Sequence, residues 1–514
     1  MSPEWSNASS DLLVAIDRDS DEPLRSQLER QVREAIRTGR LRVGERLPPS
    51  RELAGALGLS RGLVQDAYAQ LLAEGYLVAR VGSGTRVAAG ACPPPSPPPS
   101  PSRPVGRPPL LADFRWGVPD LGAFPLSDWL WAVREAARGM PVAELDYGDP
   151  RGSAVLREVV AGYARRIRAA AADPEHTVIC SGYAQGLSLA LGALARSGVR
   201  RVAYEDPGSP ASVRAAAAAS GLEAVPVPVD EQGIDVTALT ATGARAVVVT
   251  PAHQWPTGVV LGPERRLALI AWAAAHDGVV IEDDYDAEFR YDREPVGALQ
   301  GLAADRVVSI STVSKSLAPA LRIGWVLCPP ALTRTLVSVK HISDRGSPVL
   351  DQLALARLME SGRFDRHLRR MRATYAARRT ALLAALAEHA PDVAVTGLAA
   401  GFHAVAHLPE TADEQALVTA ARARSVGLYG MSTCRTSRAT APPRLVLGFG
   451  NVGERAVTAG IAAIGDLLTG QGSARSRGPR PGGRPERGVQ VLGEPGRRVG
   501  RATGQPDRLP EGLP

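Results

Sequence analysis

Leu24, Leu28, Val32 and Ile36 recur every fourth position with charged residues between them, which predicts one apolar stripe on a helix closed by Gly39. A second apolar pair, Leu53 and Leu57, follows two prolines, and Ser50 is predicted to cap that helix. Gly58 permits a tight reversal. Ser60 then predicts the cap of a third helix whose inner face is Val64, Tyr68 and Leu72, with Arg61, Gly62 and Gln65 outward in its first turn. Stretches 77–80 and 85–88, joined by V-G-S-G, predict a β-hairpin. From residue 113 the pattern changes. Short apolar runs at 177–180, 202–204, 246–250, 279–281 and 307–310 alternate with Ala- and Leu-rich helical stretches. That alternation predicts an α/β domain with a mainly parallel sheet covered by helices, in which ligands sit at the C-terminal ends of the strands.

Between these regions, 89–112 is too rich in proline for a helix or a central strand. It is expected to form a semi-rigid spacer of about 3.1 Å per residue. The chain therefore divides into 11–88, a linker 89–112, a large domain 113–470, and a tail 471–514 without apolar period that is expected to be disordered. Most of the formal net charge of +7 lies in that arginine-rich tail, so bulk charge says little about the folded part. No apolar run reaches the roughly 18 residues of a membrane helix. No basic patch followed by an apolar core opens the chain. The 4 cysteines are widely spaced with no C-x-x-C pair, which fits a reduced cytoplasmic protein and argues against a metal site or a disulfide framework.

Two short helices joined by a glycine turn and followed by a hairpin form a winged helix-turn-helix, whose second helix enters the major groove of double-stranded DNA by its N-terminal end. Basic residues outnumber acidic ones two to one between Arg30 and Arg86, which suits phosphate contact. A helical hairpin used only for protein contact is the weaker reading, because helices, turn and wing come in the order that DNA binding needs.

Of 60 lysines and arginines only Lys315 and Lys340 are lysines. A lysine amine can lose its proton and add to a carbonyl, whereas a guanidinium stays charged. Lys340, in L-V-S-V-K-H, fits a chance surface position. Lys315 follows an apolar strand among Ser311, Thr312 and Ser314, with Arg322 seven residues on, so hydroxyls and a guanidinium stand beside a reactive amine. That combination describes a site for pyridoxal 5'-phosphate. At 279–289, V-V-I-E-D-D-Y-D-A-E-F ends a strand in acids, and such an acid can keep a pyridine nitrogen protonated. An acidic helix start is the bland alternative. At 181–187, S-G-Y-A-Q-G-L offers small residues and helical N–H groups to an anion. His253, in T-P-A-H-Q-W-P-T-G, fits a structural histidine better than a base.

S-x-S-K-S-L-A-P-A-L-R-I-G resembles the lysine motif of MocR/GabR-type transcription regulators, and the N-terminal pattern resembles the winged helix of GntR-type repressors. The resemblance spans about residues 11–468. It implies a fold type I aminotransferase-like domain binding pyridoxal phosphate through Lys315, with Asp283 on the ring nitrogen and Tyr285 on the ring hydroxyl. Gly182, Tyr183, Ala184 and Gln185 would lie near the phosphate with Thr312, Ser314 and Arg322. Arg51, Arg61 and Gln65, with Gly82 and Ser83 of the wing, would meet DNA. It also implies a homodimer that senses a small amine or amino acid. Three departures stand out. Ser209 replaces the usual ring-stacking aromatic, leaving Tyr183 for that packing. Trp255 stands where many aminotransferases have asparagine. The substrate-carboxylate arginine is displaced from Val446 to Arg444, with Arg435 and Arg438 as rivals. These count against an efficient transaminase, the alternative reading. The lysine constellation counts against a third reading, a mere dimerisation scaffold.

Overall fold

The computed structural model describes residues 14–80, 84–89, 110–286, 288–291, 296–397, 400–436 and 442–469. Gly82, Ser83, Cys92, Arg438, most of the linker and the tail lie outside the described residues.

The first compact unit contains α1 (Leu24–Arg37), α2 (Ser50–Leu57), α3 (Arg61–Ala73), β1 (Leu77–Arg80) and β2 (Gly84–Val87). Leu28, Val32 and Ile36 are fully buried, as the four-residue spacing predicts. Ser60 caps α3, its side chain accepting from Leu63 N at 3.2 Å. Ser50 does not cap α2. It is already the first helical residue, and Pro49, with its fixed φ of −56°, supplies the entry. Inside α3, Val64, Ala67, Tyr68 and Leu71 are buried and Leu72 only half so, because the true 3.6-residue period carries the inner face from Tyr68 to Leu71. The wing is an antiparallel pair, Leu77 opposite Val87, and an added bridge from Arg46 to Arg86 widens it.

The second unit opens with β3 (Ala112–Asp113), α4 (Leu126–Gly139) and α5 (Ala154–Arg168). Its central strands and their crossovers follow as β4 (Thr177–Cys180), α6 (Tyr183–Arg196), β5 (Arg201–Asp206), α7 (Pro210–Ala219), β6 (Glu223–Asp230), β7 (Gly233–Ile234), α8 (Val236–Ala241), β8 (Ala246–Val249), α9 (Pro263–Ala275), β9 (Val279–Asp284), β10 (Val307–Thr312) and β11 (Gly324–Leu327). They form one eight-stranded sheet in the order β4-β11-β10-β9-β8-β5-β6-β7. The neighbours from β10 through β9, β8 and β5 to β6 are parallel, and β11 runs antiparallel to both of its neighbours. The mainly parallel α/β class predicted from the alternation is therefore present. Strands β4, β8 and β11 are buried along their whole length, which is why they read as continuous apolar runs.

Helices α10 (Pro330–Asp344), α11 (Val349–Glu360) and α12 (Arg363–His389) lead to a smaller lobe. There β12 (Val395–Thr396), β13 (His403–His407), α13 (Glu414–Ala423), β14 (Val426–Gly427), β15 (Arg444–Gly448) and α14 (Glu454–Leu468) follow. The order β12-β13-β15 makes an antiparallel sheet, and β14 pairs with β3 near the start of the unit.

Candidate functional site

Strand alternation sorts the acids of β9. Glu282 accepts from the backbone N–H groups of Leu299 (2.9 Å) and Gln300 (3.2 Å), and Asp284 accepts two hydrogen bonds from Arg168 (2.8 and 3.1 Å). Asp283, between them, points to the other face. Its Oδ1 is sealed from solvent and has no hydrogen-bond partner among the described residues. Burial pushes its carboxyl well above the usual range, the Asp284 charge adds to that, and the Lys315 charge opposes it.

Asp283 lines a small open cleft walled by Tyr183, Tyr204, Glu205, Ser209, Thr250 and Trp255. The cleft opens beyond the C-terminal ends of β5, β8 and β9, where a parallel sheet presents ligands. Tyr183 and Trp255 supply aromatic walls beside the small Ser209. Trp255 in turn packs on Trp116, their ring centroids 4.6 Å apart. Glu205 is buried at the end of β5. Burial raises its pKa to about 7, against the bonds it accepts from Thr250 and Gln254.

Lys315 leaves the turn after β10, and its Nζ donates to the Gly117 carbonyl at 2.5 Å. Burial lowers the pKa of its amine, while Asp283 and then Asp286 hold it up. Behind the lysine, Thr312 Oγ1 and Ser314 Oγ are 2.8 Å apart, and Thr312 Oγ1 also accepts from Ser314 N. Arg322 donates to the Ser181 carbonyl. Gly182 lies between them. With φ at +84° it occupies backbone space that favours glycine, and a Cβ there would sit 3.2 Å from the Arg322 guanidinium and 3.3 Å from Thr312 Oγ1. Gly324 allows the turn to close on β11, since a Cβ on it would stand 2.8 Å from Gly182 Cα. The first N–H groups of α6, from Tyr183 to Gln185, have no helical carbonyl one turn back to bond. The Gln185 side chain is committed elsewhere: Oε1 accepts from Ser181 N and Nε2 donates to Asp344, each at 2.7 Å.

Tyr285 donates to the His253 carbonyl at 2.9 Å, and buried His253 places Nδ1 2.8 Å from Asp286 Oδ2. His253 is thus tied to Asp286 inside the fold. Arg444 starts β15 with its Nε buried and unpartnered among the described residues. Burial, and then the charge of Arg435, lowers its pKa. Val446 instead lies in an apolar cluster with Val405 and Met431, against which Trp116 and Trp255 pack. The Arg435 segment lies over the end of β5, with Gly208 N donating to the Cys434 carbonyl at 2.8 Å and Thr436 N to Asp206 at 3.1 Å. In the first unit, Arg51, Arg61 and Gln65 are all exposed.

Lys340 differs from its sequence reading. It is fully buried, not on the surface, and its Nζ donates to both carboxylate oxygens of Asp344. Sequence reading also missed Arg168, Trp116 and the Gly117 carbonyl, which reach the site from far away along the chain and carry no local signal.

A helix-turn-helix joined to an aminotransferase-type α/β domain defines a DNA-binding regulator built on an enzyme fold. Residues 24–87 match the bacterial regulatory proteins of the gntR family, and 115–443 match the aminotransferases of class I and II. The chain is 32% identical to the probable rhizopine catabolism regulatory protein MocR of Rhizobium meliloti, over 88% of this chain and 95% of that one. It is 33% identical to the pyridoxine biosynthesis transcriptional regulator PdxR of Corynebacterium glutamicum, over 89% and 99%. Among solved structures, the multiple substrate aminotransferase of Thermococcus profundus shares the fold, with a TM-score of 0.65 at 24% identity over 72% of this chain and 94% of that one. The chain belongs to the MocR-type family of transcriptional regulators, which join a gntR-family helix-turn-helix to an aminotransferase class I and II domain.

Proposed function

We propose that this protein is a pyridoxal phosphate-dependent regulator that binds operator DNA as a cytoplasmic homodimer and responds to a small amine or amino acid. The single observation that carries the cofactor reading is the Asp283 carboxylate. A buried acceptor without a partner costs free energy unless a donor arrives, and a pyridinium N–H in the cleft is such a donor. The glycine cradle at Gly182, beside Arg322 and Thr312, supports a phosphate at the other end of the same molecule. When bound, the cofactor supplies an electrophilic carbonyl and an electron-withdrawing ring.

The roles of the chain's own residues follow. Lys315 offers an amine whose proton is easier to lose for being buried. Asp283 would hold a proton on the ring nitrogen, Tyr183 and Trp255 would keep water from the ring faces, and Tyr285, whose hydroxyl here donates to the His253 carbonyl, would be the partner of the ring hydroxyl. Backbone N–H groups of Tyr183, Ala184 and Gln185 would meet the phosphate with Thr312, Ser314 and Arg322. An effector carboxylate would be clamped by Arg444 or Arg435. Arg51, Arg61 and Gln65 would contact DNA together with Gly82 and Ser83, which lie between β1 and β2 in the sequence.

The experiment is to titrate purified protein with pyridoxal phosphate and measure visible absorbance and binding to DNA from its own upstream region. A saturable band together with sequence-specific binding is expected. Specific DNA binding without any cofactor uptake would overturn the pyridoxal half of the proposal.

A further inference from the structure

Lys340 lies near the end of α10 with no exposed surface. Its Nζ donates to Asp344 Oδ1 (3.0 Å), Asp344 Oδ2 (2.7 Å) and Ser347 Oγ (3.1 Å). An ammonium has three donors, and all three are spent. The five N–H groups of a planar guanidinium would not find that many acceptors there, a physical reason for lysine in a chain that otherwise relies on arginine. Asp344 Oδ2 accepts in addition from Gln185 Nε2 at 2.7 Å, and Gln185 Oε1 accepts from Ser181 N at 2.7 Å. The contacts run unbroken from a buried ammonium, through a carboxylate and an amide, to the turn between β4 and α6.

That turn carries Gly182, beside Arg322 and Thr312. The helices bearing the two ends of the relay are packed closely. A Cβ on Gly192 of α6 would sit only 3.2 Å from Val339 of α10. Burial works against the ionised Asp344 carboxyl, but the bonds from Lys340 and Gln185 outweigh it and hold its pKa below the ordinary value. A buried ion pair is by itself a weak source of stability, and apolar replacements of equal size often do as well. What this pair supplies is the orientation of the one amide that fixes Ser181.

We propose that Lys340, Asp344 and Gln185 are positioning residues that hold the turn at 181–183 in shape for a phosphate group. This inference rests on the pyridoxal phosphate reading above. In it the Gln185 side chain acts by fixing Ser181 and does not itself touch the phosphate.

The test uses the full chain and three variants: Gln185→Ala, Lys340→Met, and both together. Two quantities are read, the dissociation constant of pyridoxal phosphate by equilibrium dialysis and the ³¹P resonance of the bound phosphate. Each single variant should weaken binding about tenfold, equivalent to about 1.4 kcal/mol, and move the ³¹P resonance. The double variant should be little worse than either single one, because both break the same relay. If Gln185→Ala weakens binding and a folded Lys340→Met does not, Gln185 meets the phosphate directly and the relay is wrong. Fully additive losses would overturn it as well. Should Lys340→Met fail to fold, Gln185→Ala decides, since it leaves the ion pair intact: unchanged affinity and an unmoved resonance would refute the inference. A natural chain that folds and binds no pyridoxal phosphate refutes the cofactor reading itself, a distinct result.

Discussion

Arg168 grips Asp284 through two hydrogen bonds, 2.8 and 3.1 Å long, in surroundings that leave their side chains 4% and 6% exposed. The pair sits behind β9 and anchors the strand end whose next side chain, Asp283, enters the cleft. Removing one member strands a buried charge. Arg168→Met should therefore lower unfolding free energy by about 3–5 kcal/mol. Arg168→Met combined with Asp284→Leu should recover much of that loss. Denaturant titration of the three proteins checks this, and a cost below about 1 kcal/mol in the single variant would mean that water reaches the pair.

The two lysines separate cleanly by chemistry. Borohydride reduction of protein loaded with pyridoxal phosphate should attach the cofactor to the peptide containing Lys315 and leave Lys340 unmodified, since Lys340 is an ion-paired ammonium with all its donors engaged. Peptide mass spectrometry reads the outcome, and Lys315→Ala should abolish the label. A tag on Lys340 would reverse the assignment.

Glu205 makes stability depend on pH. Its pKa rises from an ordinary 4.5 to about 7 in the fold, chiefly through burial. A carboxyl with a raised folded pKa binds its proton more tightly when folded, so its contribution is fully present below the unfolded pKa. It is lost as pH rises toward 7, at no more than about 1.4 kcal/mol per pH unit. Glu288, also pushed up by burial and by Asp284, slopes the same way, as does Asp283. Glu205→Gln should remove part of the decline between about pH 4.5 and 7 and leave the shares due to Glu288 and Asp283. Urea melts of cofactor-free protein at several pH values measure this, and an unchanged slope would mean Glu205 is ionised throughout.

What could be read from the sequence was what local pattern encodes. The helix-turn-helix, the hairpin, the five central strands and the strand-end clusters each depend on residues within a few positions of one another. The stretches holding Lys315 and the acids of 279–289 stood out because each ends an apolar strand in chemically odd residues, whereas the choice of Asp283 and of Gly182 rests on the resemblance to the regulator family. Partners contributed from far along the chain were invisible. Nothing near Lys340 announces Gln185, 155 positions earlier, and Arg168 lies 116 residues from Asp284. Ser50 was misread because serine after proline satisfies both a cap and a first helical turn, and the rigid proline ring decided between them.

Arg61 is exposed in the first turn of α3, where a recognition helix presents side chains to bases. A bidentate base contact is worth about 1–3 kcal/mol of discrimination. Arg61→Ala should weaken specific binding far more than binding to random DNA, at matched salt because phosphate contacts dominate both. Fluorescence anisotropy with operator and scrambled duplexes distinguishes the cases. Equal losses on the two duplexes would reduce Arg61 to a phosphate contact.

The switch is the last expectation. An effector shifts a two-state equilibrium only by its difference in affinity for the two states. Lys315 offers such a difference. An amine that took the place of Lys315 at a bound cofactor would free its Nζ for the contact to the Gly117 carbonyl seen here. That contact ties the turn after β10 to a segment next to Trp116, and Trp116 packs on Trp255 in the cleft wall. The small lobe joins through the cluster of Val405, Met431 and Val446, against which the same two tryptophans pack. An amino-acid carboxylate held by Arg444 or Arg435 would add a contact absent without effector. A coupling of about 1–3 kcal/mol would change DNA affinity about 5- to 150-fold. The right amine should therefore shift the cofactor spectrum and DNA affinity together, with little or no turnover to a keto acid. Amino acids and polyamines can be screened by absorbance and each hit assayed for DNA binding. A hit that is steadily transaminated while DNA affinity stays fixed would favour an enzyme. A response of DNA binding to pyridoxal phosphate alone, with no amine needed, would make the cofactor itself the signal.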